Sequence, residues 1–161
     1  MLSTRAWLAT APVLQALVAE HFVYDHSAVP AILLDDGVVG RDWRLPEVLP
    51  SVWPDTTIRT QPYTITTSNG HIIEIPDNGA LADWATVEVM GLVLDRAIKA
   101  WEQHPQSTQL VSIGFHQEGA AAFINRIESL VHQCGIMAER GIPLRFVTSH
   151  GAAVDVAPHS P

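Results

Sequence analysis

The chain has 161 residues, of which 47% are hydrophobic and 16% charged; this is enough length and apolar content for one domain with a real core, and it excludes a disordered chain. Its formal charge of −8, with no basic stripe, argues against nucleic acid and anionic membranes as partners. A single cysteine, Cys134, rules out an intrachain disulfide, and its place on an apolar helical face with Leu130, Val131 and Met137 reads as core packing.

Thr10 is placed to cap a helix that starts near Ala11 and runs to about His21, with Pro12 tolerated in its first turn. Val13, Leu14, Leu17 and Val18 fall on one face of it. Residues 1–19 carry one Arg ahead of an apolar stretch, as a secretion signal does, but Pro12 and Gln15 interrupt that stretch. It reads as an amphipathic helix, which leaves a cytoplasmic location as the expectation. No stretch is long enough to span a bilayer. Phe22-Val23-Tyr24 follows as a short strand, with Asp25-His26-Ser27 at its end.

From Ala28 to Gln61 the composition shifts. Prolines at 30, 46, 50 and 54, with Gly37, Gly40, Trp43 and Trp53, predict a long irregular segment of the kind that walls a binding site. Residues 62–76 read as a hairpin: Asn69-Gly70 is a strong two-residue turn signal between Tyr-Thr-Ile-Thr and Ile-Ile-Glu-Ile. A helix over 84–104 places Val87, Met90, Leu94, Ile98 and Trp101 on one face, and Pro105 stops it. A second helix, 118–139, carries Phe123, Ile124, Ile127, Leu130, Val131, Cys134 and Met137 at helical spacing and ends before Gly141. Residues 142–148 read as a last strand and 151–161 as a polar, frayed tail. The order α-β-loop-hairpin-α-β-α-β predicts parallel βα units in a single α/β domain.

Between the two long helices lies Gln109-Leu-Val-Ser-Ile-Gly-Phe-His-Gln-Glu-Gly119. Leu110, Val111, Ile113 and Phe115 form a run suited to a strand buried on both faces of a parallel sheet. His116 follows at its carboxyl end, just before a helix. Chemistry gathers at that end of a strand in α/β sheets, and a helix N-terminus there offers free N–H groups to an anion. The position also suits a His that merely caps the strand.

Several stretches together resemble the carboxyl half of the polysaccharide deacetylase family: Phe22-Val23-Tyr24-Asp25-His26-Ser27, Ile73-Glu74-Ile75-Pro76, Leu81-Ala82-Asp83-Trp84, Gly114-Phe115-His116-Gln117-Glu118 and Leu144-Arg145-Phe146-Val147-Thr148. Their order and spacing match, and the Glu-Ile-Pro and Leu-x-Asp-Trp pair looks more like the branch that holds peptidoglycan deacetylase-like and allantoinase-like proteins. The resemblance implies an α/β fold, a partial (β/α) barrel of the polysaccharide deacetylase type lacking its N-terminal strands, over residues 1–150. It implies amide hydrolysis of N-acyl groups on a carbohydrate, with His116 as the general acid that protonates the leaving amine; a His with a pKa near ~6.5 delivers that proton at neutral pH. By the same resemblance Arg5 orients the catalytic carboxylate, although Thr4-Arg5-Ala6-Trp7 lacks the family's proline, and Trp7, Tyr24, Asp25, Phe115 and Glu118 lie in the substrate groove.

One departure is large. The family binds a divalent metal such as zinc through a Thr-Phe-Asp-Asp-Gly motif and a His-x-x-x-His motif, and this chain has neither. Leu34-Asp35-Asp36-Gly37 mimics the first but comes too late in the order and reads as a turn. His21 and His26 are five apart across a strand and so point to opposite faces, poor geometry for a shared metal. No metal ligand is therefore assigned in this chain, and without the metal no nucleophilic water is generated. Three readings follow: the back half of an N-deacetylase, or of an allantoinase-like cyclic amide hydrolase; a non-catalytic sugar-binding remnant using Trp43, Trp53 and Trp84 as stacking platforms; and a homo-oligomer in which two half barrels assemble.

Overall fold

A computed structural model describes residues 3–4, 9–30, 45–82, 85–114 and 120–156. Strand β1 (Ser3–Thr4) leads to helix α1 (Ala11–Ala19), which returns the chain to β2 (Tyr24–Asp25), parallel to β1. Thr10 holds the extended N-cap conformation, though its side chain makes no cap bond, and Pro12 sits in the first turn where its missing N–H has no partner to lose. At the other end His21 adopts a φ of 64°. This lets the Phe22 N–H reach the Leu17 carbonyl (2.9 Å) and the His21 N–H reach that of Val18 (3.0 Å), closing the helix with a Schellman turn.

The segment that reads as irregular contains helix α2 (Leu45–Val52), with Pro50 inside it. Leu49 and Trp53 pack into a core with Ala9, Leu14, Ala28, Val29 and Ile72. The hairpin is present as β3 (Tyr63–Thr67) and β4 (Gly70–Glu74), antiparallel, with Gly70 at a φ of 130° that only glycine adopts freely. Strand β4 also pairs in parallel with β2, giving a four-stranded sheet of order β1-β2-β4-β3.

Strand β5 (Ala80–Leu81), helix α3 (Val87–Gln103) and strand β6 (Ile113–Gly114) form a second parallel unit. Thr86 caps α3 by accepting the Val89 N–H at 3.4 Å. Helix α4 (Ala120–Glu139) packs on α3 around Met90, Leu94, Leu130 and Cys134. The Arg126 guanidinium on α4 donates to the carbonyls of Ala82 (2.8 Å) and Ala85 (3.0 Å), tying α4 to the chain that follows β5.

Three expectations need correction. Among the described residues the strand ending at His116 is laddered only at Ile113–Gly114; residues 109–112 pair with no described strand, and side chains hold them instead. Residues 142–148 form no strand: Ile142 and Leu144 are half-buried, but no described strand offers them an edge. Residues 151–156 are not a frayed tail: they belong to helix α5 (Ser149–Val156), which buries Ala152 and Ala153 against Tyr24 and Ile75. The described sheets are small and open, a four-stranded and a two-stranded one, so the architecture is mixed α/β and not a closed barrel. No described helix is long and apolar enough to cross a membrane.

Candidate functional site at the carboxyl ends of the strands

Strand alternation sorts the residues at the ends of β2 and β4. The register pairs Tyr24 with Ile73 and Asp25 with Glu74, so each pair shares one face of the sheet. Tyr24 lies on the side packed by Ile75 and α5. Asp25 and Glu74 share the other face with Ile72, against the α1 and α2 core. Tyr24 and Asp25, expected to line one groove, are therefore directed to opposite faces, and both are buried.

After β2 the chain runs on beside the continuation of β4 and is fastened to it. The Ile75 N–H donates to the Asp25 carbonyl (2.9 Å), the Ala28 N–H to Glu74 Oε1 (2.9 Å), and the Asp77 N–H to the Ala28 carbonyl (2.8 Å). Asn78 extends the fastening to the second parallel unit: its Nδ2 donates to the carbonyls of Thr60 (2.7 Å) and Leu110 (3.0 Å), and its Oδ1 accepts the Ser112 N–H (3.0 Å). Gln61 adds a reciprocal pair with the Leu110 backbone, and the Ser112 hydroxyl donates to Asp77 Oδ1 at 3.3 Å. Here Asn and Gln amides stand in for ladder hydrogen bonds. Gly79 permits the approach, since a Cβ there would lie 2.3 Å from the Ser112 carbonyl oxygen.

Asp25, Glu74 and Asp77 thus gather within one small buried region, with exposures of 0, 0 and 1%. Burial is the main cause pushing the Glu74 carboxyl up to about 8; the Ala28 N–H opposes this, and the Asp25 charge adds to it. Burial also raises Asp25, tempered first by Ser27. Tyr63, across the hairpin from Glu74, is pushed up to about 12 by burial and then by the Glu74 charge. The buried Cys134 thiol is raised by burial as well, which leaves it a poor nucleophile at neutral pH.

His26 alternates back to the Tyr24 side, its ring edge-on to Tyr24 at 5.7 Å between centroids. It lines a cavity of about 840 Å³ together with Gln61, Trp101, Leu110, Ser112 and Phe146. The cavity lies between residues 106–113 and 142–149, and most of its wall is apolar. No protein-family model matches the chain, and no match was found among curated proteins or solved structures.

Among the residues expected to act, the structure places Tyr24 and Asp25; His116, Arg5, Trp7, Phe115 and Glu118 lie outside the described residues, as do Asp35, Asp36, Trp43 and Trp84. Among the described residues no three His, Cys, Asp or Glu side chains converge as a metal site requires. Sequence reasoning quoted Glu74 within a motif but gave it no role, and it missed Asp77, Asn78 and Ser112. The available signal was period-two alternation: Ile72 and Glu74 must share a face, which sends a carboxyl into the core.

Proposed function

We propose that this chain supplies the leaving-group half of a carbohydrate N-deacetylase-like amide hydrolase, with His116 as the general acid. The observation that supports this reading is positional. The Tyr24-Asp25-His26-Ser27 and Glu74-Ile75-Pro76 stretches leave the carboxyl ends of adjacent parallel strands, and His116 follows two residues after Gly114, the end of parallel strand β6. In α/β folds substrates meet the chain at those ends. An amide nitrogen leaves slowly unless it is protonated, and a His near neutral pKa meets that need.

The reaction also needs an activated water, and the described residues do not fit a metal site. The metal ligands that the deacetylase resemblance calls for, zinc for example, must then come from outside these residues, and no step is assigned to a metal here. The second reading is a cyclic amide hydrolase, which the same resemblance implies through its allantoinase-like branch.

Substrate profiling of the protein purified from its own cell separates the two. Acetate release from an N-acetylated sugar oligomer, with no opening of a cyclic ureide, is the expected result. Ureide opening alone would transfer the assignment to the second reading, and sugar binding with no hydrolysis of either would remove catalysis.

A further inference from the structure

Asp25 and Glu74 are register neighbours at the ends of two parallel strands, on one face, and both are fully buried. Among the described residues neither is in an ion pair. The groups around them are Tyr63 from β3, His26 and Ser27 following β2, and Asp77 following β4. Helix α1, packed on the same face, contains no titratable side chain, and α2 contributes Leu49 and Val52 to that core. On the opposite face α5 presents Ala152 and Ala153, its Asp155 being paired with Arg145 and its His150 exposed. Among the described residues no lysine or arginine acts on either carboxyl.

If both were ionised they could only accept. Glu74 Oε2 then meets no donor, an expensive condition in a dry interior, and Asp25 has only Ser27 and the His26 backbone to favour its charge. With a proton on one of them, each is a hydrogen-bond partner of the other. Glu74 is the better carrier, because its Oε1 already accepts the Ala28 N–H while its Oε2 is the free atom.

We propose that Asp25 and Glu74 hold one proton between them at neutral pH, bonded to Glu74 Oε2 and donated to Asp25, and that this shared proton locks the segment through Ala28 against β4 and so sets His26 on the cavity wall. When the pH rises the Oε2–H bond breaks and the proton goes to water, leaving two adjacent carboxylates. Their repulsion separates β2 from β4 at this end and draws Glu74 Oε1 from the Ala28 N–H. The segment through Ala28 loosens and His26 moves with it, so the pair is a pH-sensitive latch.

Carboxyl ¹³C shifts of the folded wild-type chain, followed from pH about 5 to about 10 together with Ala28 amide exchange, test it directly. One step near pH 8 felt at both carboxyls is expected, with the Ala28 amide losing about tenfold in protection above the step and the His26 ring resonances moving in the same range. Glu74→Gln retains an oxygen for Ala28 and supplies an N–H to Asp25, so Ala28 protection should stay constant through the step. Asp25→Asn should move the Glu74 titration down, while burial still holds it above the ordinary carboxylate range. Two carboxyls already ionised at pH about 6 would overturn the proposal, and so would a shared step that leaves the Ala28 amide unchanged.

Discussion

Glu74 illustrates how one residue couples fold to pH. Its carboxyl is pushed up to about 8 in the folded chain, against 4.5 as the ordinary value. The folded state therefore holds a proton that the unfolded state releases across that window, and the sign is set: stability falls as pH rises from about 4.5 to about 8, by up to ~1.4 kcal/mol per pH unit, and levels above it. Denaturant unfolding measured on either side of the window should show this loss in the wild type and a much flatter response in Glu74→Gln. Gly79 gives a second residue-scale prediction. A methyl group there collides with backbone and with the Val111 side chain, so Gly79→Ala should destabilise by about 2–3 kcal/mol in the same assay. Legibility at this scale was uneven. The resemblance puts Asp25 and Tyr24 in one groove, but the pleat separates them onto two faces. Asp77-Asn78-Gly79 reads as the end of the hairpin; only the tertiary structure shows that the Asn78 amide bridges the two parallel units.

At the scale of elements, helices with a strong apolar period are readable, and strands are readable only where a turn signal joins them. Helix α4 falls within its expected range because Phe123, Ile127, Leu130, Cys134 and Met137 repeat at helical spacing and meet α3. Leu130, 2% exposed at the centre of that contact, should cost about 2–4 kcal/mol on replacement by Ala, measured as a shift in unfolding midpoint at constant slope. The hairpin was equally legible, since Asn69-Gly70 carries the turn chemistry. Residues 109–112 and 142–148 have the composition of strands, but a strand is defined by a neighbour that composition does not name. For 109–112 the neighbour is replaced by the Asn78 and Gln61 amides, and for 142–148 no described strand supplies one, which leaves Phe146 67% exposed. Helix α2 was hidden by its prolines, which hydrophobic packing of Leu49 overrides.

For the molecule as a whole, two parallel units, β1-α1-β2 and β5-α3-β6, are joined side by side through Asn78, Gln61 and Ser112. The joint brings the ends of β2 and β4 to a cavity whose far wall carries no ladder. We read that arrangement as the acid side of an amide-hydrolase site, with His116 delivering the proton to the leaving nitrogen and the Asp25–Glu74 pair steadying the segment through Ala28. The most direct measurement is amide turnover of the protein from its own cell with His116→Ala introduced, alongside its far-UV spectrum and unfolding midpoint. We expect turnover to fall by about 100-fold or more while both folding measures are retained. Unchanged turnover in a folded His116→Ala protein would contradict the assignment of His116 and, with it, the proposed reaction.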